Sequence, residues 1–175
     1  MKSFSWVDLF FPGVIVHEIA HALACFVCGV KVHRISVHRN SGMVVHDKTT
    51  ARSSLLIGLF PLLVGITLGF FLIQWGKQLL PQQGLLSFIL IWIGFSAGFH
   101  AIPSVQDVHN IVDSVQRRYA ELWQGSHHAV VKLAKSVWYA ASWIGAWLLV
   151  GLAFIANASV IFRLALGLGV GWFAW

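Results

Sequence analysis

Long, almost uncharged stretches restrict the fold of this chain more than any other feature. They cover residues 5–28, 55–75, 85–102 and 136–156, and a fifth follows at 157–175. A helix that spans a membrane needs about 20 mostly apolar residues, and only 10% of this chain is charged. The sequence therefore predicts an all-α membrane protein, a polytopic helical bundle of about five transmembrane helices. Four spans with an interfacial tail are the alternative.

We expect one membrane-embedded domain over residues 1–175, with a core at about 5–122 and additional spans at about 136–175. The residues from Asn157 to Ser159 favour a tight turn between the last two spans. The N-terminus does not resemble a cleavable signal peptide, because Asp8 follows a single Lys and the apolar run continues past it.

Basic residues are concentrated in two connecting segments. Because such loops stay in the cytoplasm, we expect loops 31–53 and 103–135 to be cytoplasmic and the N-terminus to lie outside, in a multi-pass protein of the cell membrane. Lys2 and Lys77 belong to the opposite side, together with Arg163 if the last span begins there. The net charge of +6 is divided among loops, so we predict no nucleic-acid partner. The basic residues of the two loops are Lys31, Arg34, Arg39, Lys48, Arg52, Arg117, Arg118, Lys132 and Lys135.

The loop after the first span has the pattern of a β-hairpin. Residues 30–37 suggest a strand with one break in register, residues 40–42 favour a turn, and residues 43–45 suggest the return strand. This loop also holds three histidines, which we interpret as solvated side chains because such loops are usually polar for solvation alone. They are His33, His38 and His46.

The segment after the third span predicts an amphipathic helix. Apolar side chains recur at helical spacing over residues 104–122, and Pro103 marks the end of the preceding span. Within that span Gly94 and Gly98 form a pair of small residues suited to close helix packing.

The first span contains the motif His17-Glu18-Ile19-Ala20-His21. On a helix its two histidines lie one turn apart on one face, where they can ligate zinc, and the glutamate beside them can serve as a general base. Ionisable side chains at membrane depth are costly and are rarely there without a function. The alternative interpretation is a pair of buried histidines that hydrogen-bond to the backbone.

A third metal ligand must come from another segment, because catalytic zinc usually has three protein ligands. The metzincin signature does not continue after His21. Asp107 is the best candidate, since it begins a helix at the mouth of the third span. His100 and His109 are fallback ligands, or partners that hydrogen-bond to a ligand or to substrate. Asp107 also has a simpler interpretation, as the helix cap in a Ser104-x-x-Asp107 capping box.

With these residues the chain resembles the site-2 protease family of intramembrane zinc metalloproteases. That family has HExxH on one transmembrane helix and a ligand Asp on a later one, in an Asn-x-x-Pro…Leu-Asp-Gly pattern. This sequence keeps Pro103 and Asp107, with one residue fewer between them. His100 stands in place of the Asn, and Val108 stands in place of the Gly. The resemblance covers about residues 9–111.

The resemblance implies Zn²⁺ bound by His17, His21 and Asp107, with Glu18 as the catalytic base of a zinc metalloendopeptidase. The substrate partner would be a membrane protein or a transmembrane peptide, cut near the cytoplasmic side of the lipid bilayer. The sequence carries no signal for the oligomeric state.

Two other functions fit the same motif. One is a non-catalytic membrane protein that binds zinc or acts as a scaffold, which the intact Glu18 disfavours. The other is a small transporter with an intramembrane His/Glu relay, which would be expected to contain internal repeats. The chain contains no convincing repeat.

Overall fold

The computed structural model describes residues 5–39, 41–124 and 128–174. Over these ranges the fold consists of six α-helices and one β-hairpin, preceded by a 3₁₀ turn at Trp6–Phe10. The all-α prediction, with a small hairpin after the first helix, is confirmed. The elements in chain order are α1 (Phe11–Val27), β1 (Val32–Val37), β2 (Gly42–His46), α2 (Ala51–Leu79), α3 (Gly84–Phe99), α4 (Val105–Gln124), α5 (Ala129–Ala158) and α6 (Val160–Ala174).

The apolar helices have the dimensions and surface of a membrane protein. Within the described ranges three helical segments are long and apolar enough to cross a membrane, namely Trp6–Val27, Ala51–Leu79 and Ala129–Ala156. Two shorter apolar helices cover Gly84–Phe99 and Ile161–Phe173. Large apolar side chains point outward along these helices, where a bilayer solvates them at no hydrophobic cost.

Helices α1, α2 and α3 pack closely through small residues. A methyl group on Gly13 of α1 would overlap the carbonyl of Ser96 on α3, so a side chain there would push the two helices apart. A methyl group on Gly94 of α3 would lie 2.8 Å from the carbonyl oxygen of Gly69 on α2. The predicted role of Gly94 in close helix packing is confirmed. Such contacts place the C-terminal end of α3 beside the first half of α1, at the level of His17.

The hairpin follows the predicted pattern. Strand β1 pairs antiparallel with β2, from Val32 opposite His46 to Val37 opposite Gly42. The register shifts between Val32 and Arg34, as the alternation of apolar residues predicted. Val32 packs with Ile57 of α2 against the end of α1, and this contact fixes the hairpin at the end of the bundle.

Helix α4 pairs with α5, which runs back along it. Arg118 Nε donates to the hydroxyl of Tyr139 at 3.2 Å, and nearer the start of α4 the rings of His109 and Trp147 lie 6.0 Å apart. The part of α5 that follows Trp147 therefore continues past the level at which α4 begins. The chain breaks its helix at Ser159, within the predicted turn.

Helix α6 packs against α2 and α3 and begins beside the end of α3. Val170 is buried against Ile73 of α2, and a methyl group on Gly98 would lie 3.3 Å from Val170 Cγ2. Near the start of α6, Arg163 lines a cavity that also contains the loop residue Ser104. The expectation that Arg163 lies opposite the basic loops, which applied if the last span begins there, does not fit this shared cavity. It fails because α5 packs along α4 and returns the chain to the end at which α3 finishes.

Candidate metal centre

Helix α1 carries the HExxH motif on a buried face. Pro12 lies in the first turn, where its fixed φ suits a helix and its missing N–H costs nothing. One and two turns later, His17 and His21 face the bundle and retain 9% and 5% of their exposure. Glu18 is 5% exposed. The motif thus sits among the neighbouring helices, while Ile19 points outward.

Each imidazole of the motif is held by a backbone carbonyl. Nδ1 of His17 donates to the carbonyl of His100 at 2.7 Å, and Nδ1 of His21 donates to the carbonyl of Ile57 at 2.8 Å. A carbonyl oxygen can only accept, so both Nδ1 atoms carry hydrogen. In neutral imidazoles both Nε2 atoms therefore present lone pairs, which is the form that binds a metal.

Asp107 brings a third donor to the two imidazoles. Its Oδ1 lies 3.2 Å from His21 Nε2, and its Oδ2 lies 3.5 Å from His17 Nε2. The two Nε2 atoms are 3.1 Å apart. His17, His21 and Asp107 are the group of three potential ligands found in the described part of the chain.

This donor set fits zinc. Ligands bound tetrahedrally about 2.0–2.1 Å from zinc are separated from one another by about 3.3 Å, and the three separations found here bracket that distance. Two Nε2 lone pairs and a carboxylate repel one another at such distances unless a cation or a proton lies among them. A divalent cation that takes nitrogen and oxygen ligands satisfies all three at once.

Asp107 also forms the capping box at the start of α4, in which Ser104 is the N-cap. Its Oδ2 accepts from the backbone N–H of Ser104 at 2.7 Å and from the Ser104 hydroxyl at 2.6 Å. In return the Asp107 N–H donates to the Ser104 hydroxyl oxygen at 3.1 Å. The two interpretations of Asp107, ligand and cap, are therefore compatible in one geometry.

The pKa of Asp107 reflects both burial and its neighbours. Burial alone would raise the pKa of this carboxyl, but in the metal-free site protonated His17 and His21 donate hydrogen bonds to it, and these bonds and the imidazolium charges outweigh burial. They hold the pKa well below its ordinary value. The side chain is therefore a carboxylate near neutral pH, as a metal ligand must be.

The other predicted candidates lie around the site rather than within the donor set. His100 contributes its carbonyl to His17, and its buried Nε2 has no hydrogen-bond partner among the described residues. His109 faces Trp147 and does not line the cavity.

In the hairpin His33 is exposed and bonds to Asp47 at 2.7 Å. His46 lines the cavity, so the interpretation as a purely solvated histidine is too simple for this residue.

The donor set opens into a cavity of about 220 Å³. Residues of α1, β2, α2, α4 and the first turn of α6 form its walls, together with the end of α3 and the segment that follows it. Gly42 of β2 lies so close to Glu18 that a methyl group there would overlap the carboxylate side chain. The polar and charged residues of the wall are His17, Glu18, His21, Ser41, His46, Ser54, His100, Ser104, Gln106, Asp107, Asn110 and Arg163.

Residues 6–57 match the family model described as Peptidase M50B-like. Over this segment the chain is similar to the M50B-like peptidases. The predicted resemblance to the site-2 protease family is confirmed there. The comparison with curated proteins and the comparison with solved structures found no match.

The M50B-like segment covers α1, the hairpin and the first residues of α2, which is less than a third of the chain. It contains His17, Glu18 and His21. Asp107 lies beyond it, and the carboxylate is brought to the M50B-like segment by the fold alone. The sequence-based predictions did not include Arg163 in the cavity wall, and they did not place Gly42 beside Glu18. For Arg163 the available signal was a lone charge in an apolar helix, which usually marks a functional site.

Proposed function

We propose that this protein is an intramembrane zinc metalloprotease formed by a single membrane-embedded domain. One observation carries the proposal: three donors of the kinds that bind catalytic zinc converge beside a buried glutamate. The M50B-like match over the first helices agrees with this chemistry. The intact Glu18 favours a hydrolase over a non-catalytic protein that binds zinc or acts as a scaffold.

In this proposal each side chain has a defined role. His17, His21 and Asp107 would hold zinc, which would supply a Lewis acid for the scissile carbonyl and for water. Glu18 accepts a proton from the attacking water and delivers it to the leaving nitrogen. The carbonyls of His100 and Ile57 keep the imidazoles in the tautomer that leaves Nε2 free.

The substrate would be a membrane protein or a transmembrane peptide that becomes locally extended. A helix hides its peptide bonds, whereas an extended segment can add to an open strand edge. Strand β2 lines the cavity and pairs on one side with β1, so its other edge faces no strand in the described ranges. A segment added there would pass close to Glu18.

We further propose that cleavage takes place near the cytoplasmic face of the cell membrane. The loops 31–53 and 103–135 contain most of the basic residues, and such loops remain in the cytoplasm. The cavity includes Ser41 and Ser104 from these loops. The N-terminus would then lie outside.

The test compares wild type with Glu18→Gln and His17→Ala in proteoliposomes. Zinc per chain is measured together with cleavage of a library of fluorogenic transmembrane peptides. We expect Glu18→Gln to keep zinc and to lose about 10²-fold or more of the cleavage rate, because the base is absent. His17→Ala should lose both zinc and cleavage. Cleavage by Glu18→Gln at the wild-type rate, with contaminating proteases excluded, would reject the proposed function.

A further inference from the structure

Arg163 is the one charged residue of α6. A guanidinium in an apolar helix is costly, and such residues usually face a polar cavity or a partner. Here the side chain lines the cavity that contains Glu18 and Asp107. Its charge also acts electrostatically on the imidazole of His100. His100 in turn holds His17 through its carbonyl, so one residue connects Arg163 to the proposed metal ligands.

The position of Arg163 is set by the packing of its helix. Val170 is buried between α2 and α3, where methyl groups on Gly69 and on Gly98 would each lie 3.3 Å from it. One turn earlier, a methyl group on Gly167 would lie 3.0 Å from the ring of Phe95. These contacts leave little freedom for α6 to slide, so the first turn of α6 presents Arg163 to the cavity at a fixed level.

The charge of the cavity wall has a consequence for hydrolysis. Arg163 is the only Lys or Arg among the described residues that line the cavity. When water attacks a peptide carbonyl, a carbon–oxygen bond forms and the π electron pair moves to the carbonyl oxygen. The water proton passes to Glu18. Negative charge thus leaves the carboxylate and appears on the substrate oxygen, where a fixed cation stabilises it.

We propose that Arg163 is a catalytic residue that donates a hydrogen bond to the scissile carbonyl oxygen as its charge develops. The inference rests on the proposed function. Collapse of the adduct restores the carbonyl, breaks the carbon–nitrogen bond, and returns the proton from Glu18 to nitrogen. Arginine suits this role because it stays protonated and has five N–H groups. It can therefore bind the substrate oxygen while keeping the contacts that it already has.

The experiment separates stabilisation of the transition state from ordinary substrate binding. It uses the full chain in proteoliposomes, with Arg163→Gln, Arg163→Lys and the matched control Arg117→Gln, which removes an exposed arginine of α4 outside the cavity. Four quantities are measured: zinc per chain, kcat/KM, the Kd of a phosphinic peptide that mimics the tetrahedral adduct, and the Kd of an uncleaved peptide in a Glu18→Gln background.

We expect Arg163→Gln to keep zinc and to bind the uncleaved peptide as wild type does. Its kcat/KM and its affinity for the phosphinic peptide should both fall by about 10²–10³-fold, the usual loss when one oxyanion donor is removed. Arg163→Lys keeps the positive charge but loses the planar guanidinium. Its kcat/KM and its affinity for the phosphinic peptide should lie between those of wild type and Arg163→Gln. Arg117→Gln should change none of the four quantities.

Three results would overturn the assignment. The first is an unchanged kcat/KM in Arg163→Gln. The second is an equal loss of affinity for the uncleaved peptide and the phosphinic peptide, which would make Arg163 a general binding residue. The third is a zinc-free or unfolded Arg163→Gln protein whose Arg163→Lys counterpart is folded and fully active. Failure of the proposed function is seen separately, as cleavage that survives Glu18→Gln.

Discussion

At the scale of single residues, one carboxylate links the start of a helix to the metal centre. Asp107 Oδ2 accepts two hydrogen bonds from Ser104, and the same side chain faces His17 and His21. Because the cap fixes the rotamer of Asp107, the start of α4 also fixes where the third donor lies. The hydroxyl of Ser104 therefore helps to position one ligand of the candidate metal centre.

We predict that Ser104→Ala weakens zinc binding by about 10–100-fold, the usual effect of losing a hydrogen-bond partner of a ligand. Zinc affinity is measured by competition with a chelator. Thr50→Ala is the matched control, because it removes the side-chain cap of α2 far from the donors and costs only about 1 kcal/mol of stability. Equal zinc affinity of Ser104→Ala and Thr50→Ala would show that the cap does not position the ligand.

The residues of the site differ in how far the sequence could predict them. His17 and His21 follow from helical spacing alone, since residues four apart share a face. Asp107 required a choice among several candidates, and its distance to the imidazoles depends on how α1 and α4 both pack against α2. Arg163 could not be placed, because a single charge on an apolar helix does not report which helix it will pack against.

At the scale of elements, the hairpin forms one wall of the cavity. Strand β2 contributes Gly42, Met43, Val44 and His46 to that wall. The absence of a side chain at Gly42 lets the strand pass directly over Glu18. The distance between the strand and Glu18, the proposed catalytic base, therefore depends on this one position.

We predict that Gly42→Val lowers peptide hydrolysis by about 100-fold, the effect expected when reacting groups are misplaced by about 1 Å. The valine would overlap Glu18, so either the strand or the carboxylate must move, while the zinc donors on α1 and α4 stay in place. Cleavage rate and zinc content are measured together. Val45→Ala changes the same strand outside the cavity and should leave both unchanged. Wild-type hydrolysis in Gly42→Val would contradict this account of β2.

The elements themselves were largely predictable, because each has a local signal. The register break of the hairpin and the chain break at Ser159 both follow from the sequence pattern. What the sequence could not give is the pairing of α4 with α5, since an apolar helix of 30 residues also suits a simple span. The contact between His109 and Trp147 and the bond between Arg118 and Tyr139 decide that pairing.

At the scale of the whole molecule, the connections after α1 and α3 lie at the same end of the bundle. Ser41 of the hairpin turn and Ser104 before α4 line one cavity. The turn between α2 and α3 lies at the far end, because α2 continues for more than twenty residues beyond Ile57. If the basic loops are cytoplasmic, Gln82 in that turn lies outside.

We predict that Ser41→Cys and Gln82→Cys react from opposite sides of the membrane. The test uses sealed vesicles of known orientation, an impermeant thiol reagent, and a background in which Cys25 and Cys28 are replaced by Ala. Ser41→Cys should react from the cytoplasmic side alone, and Gln82→Cys from the outside alone. Reaction of Ser41→Cys only from the outside would invert the proposed orientation. Reaction of both positions from one side would contradict the helix arrangement.

The order of the donors along the chain fixes when the metal centre can exist during synthesis. Both imidazoles are present once α1 has been made, but the carboxylate of Asp107 follows only after α2 and α3. Ligands that are not yet assembled hold a metal weakly. If the protein is the proposed protease, the growing chain is therefore inactive when it enters the membrane. Arg163 arrives later still, so the proposed active site is complete only once the first turn of α6 has been made.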